Sequence, residues 1–318
     1  MRQVYINGEF IPETEAKISI YDSALMFGDM VFEMTRSFNK HQFKLREHIN
    51  RLLASMKYMH ISNENFPLLF FEFAIQELIE INKKEFLWND EHRIMINVSR
   101  GILPIYSEVA KTGTNIIISD FPLRWTVAGM GKLFDTGINM IIPSQKSIPA
   151  RYLEPKIKNR SRIHYQLANI EVSKYSGENN WPLLIDDNGF ITESTGSNFF
   201  IVKDNKIITP EGRNILRGIS RAYIFKLAEQ LKMECIEKNI EPFDVYEADE
   251  AFITATPFCI LPVATLNSRK IGSGDFIIMI NLLDQWGYNV GINIVKQIKE
   301  WDKENIREEC TSPYVFKG

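Results

Sequence analysis

The sequence predicts a two-domain protein of mixed α/β (α+β) class, and three observations carry that expectation. At 318 residues the chain is too long for one small core and suits two domains of roughly 120 to 190 residues. Short apolar runs punctuated by turns such as Asn7-Gly8 and Asp187-Asn188-Gly189 predict strands and hairpins, and apolar residues three and four apart predict helices between them. An apolar content of 45% with 24% charged residues is ordinary for a soluble globular chain, so neither disorder nor a membrane protein is indicated.

The elements follow in order. Residues 5–11 form a hairpin with Asn7-Gly8 at its tip. Residues 27–36 enter a strand after the Gly28 turn, and residues 39–42 turn the chain into Phe43-Lys44-Leu45. A helix over 46–59 presents Ile49, Leu52, Leu53, Met56 and Met59 as its apolar face. A second helical pattern covers about 66–82, and strands occupy 93–100 and 116–119. Residues 121–125 read as a crossing, with Pro122 after a strand ending at Ser119-Asp120. The expected domains are therefore 1–121 and 127–318, with a linker at about 122–126. In the second, 138–142 is a strand, and a helix over about 163–175 follows the Pro155 break. The strand-like run 183–191 breaks at Asp186-Asp187-Asn188-Gly189 and is closed by Glu193. Strands at 198–202 and 207–209 flank the turn 203–206. Gly218-Ile219-Ser220 opens an amphipathic helix carrying Ile224, Leu227, Leu231 and Met233. Ile292, Ile294, Val295, Ile298 and Trp301 predict a C-terminal helix, docked or dimer-facing.

Bulk properties exclude several functions. A formal charge of −3 gives no reason to expect nucleic acid or an anionic membrane as partner. No apolar run reaches the roughly 18 residues that span a bilayer, and Met1-Arg2-Gln3-Val4-Tyr5 reads as the start of a folded domain rather than a signal peptide. Cys235, Cys259 and Cys310 are widely spaced, form no metal pattern and cannot all pair, which fits a reducing cytoplasm. His41, His48, His60 and His92 lack a neighbouring nucleophile or metal spacing, and a structural role is expected for each; no metal site is predicted.

The most informative stretch is 193–221. It sets an acid, Glu193, at one end and a glycine-led helix start, Gly218-Ile219-Ser220, at the other. A helix start offers unpaired N–H groups and a positive dipole end, both suited to a phosphate. Glycine there lets the backbone approach the anion. The spacing of Glu193, Asn198, Phe200, Thr209, Gly218 and Arg221 resembles the signature of the class IV aminotransferases, pyridoxal 5'-phosphate (PLP) enzymes of fold type IV. That group includes branched-chain aminotransferases, D-amino acid aminotransferases and aminodeoxychorismate lyases. The resemblance runs from about Tyr5 to about Gly274. It implies an α/β N-terminal domain, a larger C-terminal domain with a β-barrel-like core, PLP in the cleft between them, and a homodimer.

The same resemblance assigns residues. Lys158 stands where the family lysine holds the cofactor aldehyde and moves protons; Lys156 is the runner-up, and a basic surface patch with Arg160 and Arg162 is the bland alternative. Glu193 would keep the pyridine nitrogen protonated. Arg51, the N–H groups of Ile219 and Ser220, and Thr256 would hold the phosphate, with Ala255 and Pro257 departing from the common residues beside Thr256. Arg162 replaces the branched-chain enzymes' tyrosine at the phenolic oxygen, as an arginine does in the lyases. Phe32 would line the substrate pocket if its neighbour Glu33 faces away, and Glu33 itself is either a family site residue or solvent-facing. Ala255 and Arg100 complete the substrate side. Arg160 and His164 either recruit an acidic substrate or face solvent. The Arg-x-His clamp of D-amino acid enzymes is missing after Arg100-Gly101. The implied activity is branched-chain-like transamination between an amino acid and a 2-oxo acid. Alternatives are a pyruvate-eliminating lyase, which Arg162 favours and Glu33 disfavours, a D-amino acid aminotransferase, and a PLP-binding protein without catalysis.

Overall fold

The computed structural model describes residues 1–109 and 112–304. The chain forms two compact units. One is Met1–Trp125 with Ile157–Arg162; the other is Thr126–Lys156 with Ile163–Gly318. A contiguous division at about 121/127 therefore leaves out one feature, the short run containing Lys158, which packs with the first unit.

The first unit begins with the hairpin β1 (Gln3–Ile6) and β2 (Glu9–Pro12), followed by the short helix α1 (Ser23–Phe27) and β3 (Met30–Met34). A second small hairpin, β4 (Ser37–Phe38) and β5 (His41–Gln42), leads into α2 (Leu45–Tyr58) and α3 (Leu68–Asn82), then β6 (His92–Ser99) and β7 (Asn115–Pro122). The five-stranded sheet has the order β2-β1-β7-β6-β3 and is antiparallel throughout. Its core packs Ile49, Leu52 and Met56 of α2 and Phe71, Ile75 and Leu78 of α3 against Val31, Ile94, Ile96, Val98, Ile116 and Ile118 of the strands. Each such side chain, fully buried, contributes about 1.5–3 kcal/mol. β7 runs on past Asp120 to Pro122, two residues beyond the expected end. The proline is tolerated because β1 covers β7 only as far as Ser119, so Pro122 needs a partner on the β6 side alone.

Helix α4 (Arg124–Val127) spans the division, and the second unit continues with α5 (Leu133–Thr136), β8 (Ile138–Ile141), α6 (Ile163–Val172), β9 (Asn180–Ile185), β10 (Ile191–Ser194), β11 (Asn198–Lys203) and β12 (Lys206–Thr209). Then come α7 (Ile219–Gln230), β13 (Cys235–Glu237), α8 (Pro242–Tyr246), β14 (Glu250–Ala255), β15 (Cys259–Leu266), β16 (Arg269–Lys270), α9 (Ile277–Val290) and α10 (Ile294–Glu304). The strand order β10-β9-β8-β15-β14-β11 closes on itself, because β10 also pairs with β11 through Glu193 and Asn198. The result is the β-barrel-like core, with β12 and β13 continuing from the far end of β11. α7 stops at Gln230, and Met233 falls outside it after Lys232 takes a left-handed φ of 57°.

The C-terminal helix docks on its own chain. Ile294, Ile298 and Trp301 are buried, and the Asp302 carboxylate accepts from the N–H groups of Gly129 (2.8 Å) and Gly131 (2.6 Å). This favours the docked alternative; the part of the C-terminus at 305–318, Cys310 included, lies outside the described residues. No helix among the described residues is long and apolar enough to cross a membrane.

Phe276, immediately before α9, has a left-handed φ of 50° and gives no side-chain cap. The Glu250 carboxylate of β14 supplies that function instead, accepting from the N–H groups of Ile278 (2.8 Å) and Met279 (2.9 Å). Glu250→Ala is expected to cost about 1–3 kcal/mol, seen as a lower urea midpoint with an unchanged slope.

Candidate active site

In the first unit the site is built on β3. Side chains alternate across a strand, so Phe32 and Glu33 face opposite sides of the sheet. Glu33 faces α2, where it is fully buried, and the solvent-facing alternative is excluded. Its carboxylate accepts from Arg51 Nε at 2.6 Å and a terminal nitrogen of the same guanidinium at 2.9 Å, and it meets His48 Nδ1 at 2.8 Å. Burial alone would raise the Glu33 carboxyl. The Arg51 charge and the hydrogen bonds from His48 and Arg51 outweigh it and hold the group down to about 2. His48 is also lowered, by burial first, against the upward pull of Glu33. Arg51, expected at the phosphate, thus commits two guanidinium nitrogens to Glu33.

On the other face Phe32 lies opposite Asn97 of β6. Along its outer edge β3 carries a strap: the Phe32 N–H donates to the Lys158 carbonyl, the Arg160 N–H donates to the Met30 carbonyl, both at 2.9 Å, and Val31 bridges Asn159. The strap is antiparallel, which sets Lys158 beside Phe32. Ser161 pins its end, its hydroxyl donating to the Gly28 carbonyl at 3.1 Å. Gly28 has a φ of 68°, and a Cβ there would stand 2.7 Å from the Ser161 hydroxyl, so only glycine fits. Lys158 Nζ lies 4.6 Å from the Phe32 ring centroid, the Arg160 guanidinium 3.7 Å and the Arg162 guanidinium 5.6 Å. The runner-up Lys156 is paired with Glu154 at 2.5 Å and belongs to the second unit.

Arg100 does not join this group. Its guanidinium is taken up by Asp29 at 2.7 and 3.3 Å and by the carbonyls of Met59 and His60, both at 2.8 Å. It ties the end of α2 to the turn before β3.

In the second unit the sheet register brings together a separate set of residues. Glu193 of β10, Asn198 of β11 and Thr254 of β14 stand side by side across three strands. The Glu193 carboxylate is buried and accepts from the Tyr165 hydroxyl (3.0 Å), Asn198 Nδ2 (2.9 Å) and the Leu216 N–H (3.1 and 3.2 Å). Asn198 also donates to the Leu216 carbonyl at 2.9 Å. Gly218 caps α7 with extended backbone, and Ile219 and Ser220 occupy the first turn, where N–H groups have no intrahelical acceptor. A Cβ on Gly218 would lie 2.1 Å from Asn198 Oδ1. The glycine therefore makes room for Asn198, a reason different from the expected approach of an anion. Ala255 and Thr256 follow Thr254 at the turn into β15, and the Thr254 hydroxyl is buried with no hydrogen-bond partner among the described residues.

Sequence reasoning did not assign Tyr165 a role. It stands seven positions after Lys158, and only the α6 geometry brings its hydroxyl to Glu193. The Glu33–His48–Arg51 cluster was likewise named only in parts. The signal was present, since His48 and Arg51 are three apart and share one helix face.

Each unit carries groups that suit PLP chemically. The first has an amine on an aromatic face; the second has a buried carboxylate held by three groups and a helix N-terminus carrying a hydroxyl. Among the described residues, no group of three or more His, Cys, Asp or Glu side chains is placed to hold a metal.

Two substitutions test this geometry. Glu33→Gln leaves Arg51 without its buried counter-charge and is expected to cost about 3–5 kcal/mol at neutral pH. Glu33's folded value lies below its ordinary 4.5, so its contribution is complete above that pH and is lost as pH falls toward about 2. The lowered His48 adds to acid sensitivity below its ordinary 6.5. Urea midpoints measured from pH 7 to 3 check both, the variant losing less stability than wild type below pH 4.5. Gly218→Ala is expected to push Asn198 off Glu193 and to weaken PLP binding about tenfold or more, read by fluorescence titration of the apoprotein.

The chain matches the family model of class IV amino-transferases over residues 30–266. A protein of Methanocaldococcus jannaschii is 34% identical over 274 residues, covering 85% of this chain and 90% of that protein. The branched-chain-amino-acid aminotransferase of Escherichia coli K12 is 29% identical over 284 residues, covering 85% and 87%. Among solved structures, the branched-chain amino acid aminotransferase from Escherichia coli superposes with a TM-score of 0.75 at 26% identity, covering 90% of this chain and 93% of that one. With a family match over more than half its length, a closed barrel carrying Glu193 and a strap carrying Lys158, the chain belongs to the class IV aminotransferases.

Proposed function

We propose that the protein is a PLP-dependent, branched-chain-like aminotransferase that exchanges an amino group between an amino acid and a 2-oxo acid. The observation that carries this reading is the Glu193 carboxylate, buried at the closing pair of the barrel and fixed by Tyr165, Asn198 and Leu216. PLP, when bound, supplies an aldehyde and an electron-withdrawing ring. Lys158 would hold the aldehyde and move the donor's α-proton. Glu193 would keep a proton on the ring nitrogen, since an unprotonated nitrogen opposite a buried carboxylate leaves that charge uncompensated. Ile219, Ser220, Thr256 and Arg51 would take the phosphate, Arg51 oriented by Glu33. Phe32 would wall the substrate side with Ala255, and Arg162 would face the phenolic oxygen. The resemblance further supports a homodimer. The cytoplasm is supported by a sequence with three widely spaced cysteines that cannot all pair.

The deciding measurement is the absorbance of purified protein loaded with PLP, before and after L-leucine. A visible band that moves into the near ultraviolet, and is missing in Lys158→Ala, is the expected result. Wild type and Lys158→Ala giving the same spectrum overturns the assignment of the lysine. A band unmoved by any L- or D-amino acid overturns transamination.

A further inference from the structure

The acceptor positions of Glu193 are fully engaged by its own chain. Oε1 accepts from the Tyr165 hydroxyl at 3.0 Å and from the Leu216 N–H at 3.2 Å. Oε2 accepts from Asn198 Nδ2 at 2.9 Å and from the same N–H at 3.1 Å. A carboxylate offers about four lone-pair positions, two on each oxygen. A ring N–H that is to reach this acid therefore has to take the place of one of these donors.

The three donors are not held alike. Leu216 donates from the backbone, in the segment leading to Gly218 and α7. Asn198 is buried in β11, and its amide is tied a second time, to the Leu216 carbonyl at 2.9 Å. Neither can withdraw without moving a strand or the approach to α7. Tyr165 reaches Glu193 by a side chain with two rotatable bonds. It is half-buried and lies in the first turn of α6, a helix of ten residues. Its ring rests at 4.2 Å on that of His164, the preceding residue, which is half-buried as well. The exchange is also favourable in kind. A hydroxyl is a neutral donor, whereas a protonated ring nitrogen brings a charge, and charge-assisted hydrogen bonds are about twice as strong.

We propose that Tyr165 is an exchangeable donor on Glu193, orienting the acid and then yielding its position to the ring nitrogen of the cofactor. Asn198 and Leu216 remain as the permanent donors. The hydroxyl spares the chain a buried carboxylate with an unanswered oxygen. This inference rests on the PLP reading and adds a residue that positions the acid without binding the ring. Its consequence has an unusual sign: removing the hydroxyl weakens the protein and strengthens its hold on the cofactor.

The test compares full-chain wild type and Tyr165→Phe, each freed of cofactor. One probe is 4-deoxypyridoxine 5'-phosphate, which has the ring nitrogen and no aldehyde. The other is its 1-deaza isostere, in which C–H replaces that nitrogen. Dissociation constants come from protein fluorescence, so no turnover is read. Tyr165→Phe is expected to lower the thermal midpoint by about 3 °C or more. It is expected to bind 4-deoxypyridoxine 5'-phosphate about tenfold more tightly, with its affinity for the isostere unchanged. Weaker or unchanged binding of 4-deoxypyridoxine 5'-phosphate, or an equal change for both probes, overturns the exchange. A second measurement needs no variant. In wild type carrying 3-fluorotyrosine, a fluorine resonance should move with 4-deoxypyridoxine 5'-phosphate and stay in place with the isostere; identical responses to both probes overturn the proposal. Wild type binding neither probe overturns the PLP reading itself, and is thereby distinguished from failure of this inference.

Discussion

A buried carboxylate must be answered by donors, and in the second unit that requirement at Glu193 organises everything near it. An ionised acid out of water is costly unless its oxygens are hydrogen-bonded. Here the answering groups come from three places: α6 through Tyr165, β11 through Asn198, and the segment before α7 through Leu216. Because Asn198 also holds the Leu216 carbonyl, the approach to α7 is fixed by the same side chain that closes the barrel. Gly218 follows from this, as no larger residue leaves space for the amide. One acid thus sets the strand register, the helix start and the glycine.

The first unit solves a similar problem with opposite charges. Glu33 is as deeply buried, and it is answered by a guanidinium and an imidazole rather than by neutral dipoles. The difference has a chemical consequence. The Tyr165 hydroxyl, Asn198 amide and Leu216 N–H that meet Glu193 are neutral donors, whereas the Arg51 guanidinium brings an opposite charge to Glu33 and gains a fixed orientation in return. Glu193 is answered by hydrogen-bond donors from three elements; Glu33 is tied to one guanidinium and one imidazole.

Much of this was legible in the sequence, and the reasons differ by element. The 193–221 stretch could be read because its residues are local: the turns, the glycine and the acid lie within one run of chain, and the barrel register preserves their order. Helix α2 could be read from its apolar spacing. Tyr165 could not, since a tyrosine hydroxyl on a half-buried helix has many possible partners and only the tertiary fold selects Glu193. The partners of Arg100 were hidden for the converse reason. Its sequence context suits substrate binding, but Asp29 and two carbonyls at the end of α2 claim its guanidinium. The extension of β7 to Pro122 was hidden because a proline inside a sheet is permitted only where one neighbour has already ended, and that depends on the length of β1.

The strap explains why residues from so late in the chain group with the first unit. Residues 158–160 have no hydrogen-bonded hairpin of their own; they borrow the edge of β3, which otherwise would expose unpaired backbone groups. That pairing sets parity. With Lys158 opposite Phe32, every second strap residue rises over the ring and Asn159 turns away to cap the Ser161 N–H at 2.9 Å. A slip of one residue would put Asn159 on the ring and send both Lys158 and Arg160 to the other side. The strap therefore fixes the lysine and the arginine as one unit, both on the face of the Phe32 ring.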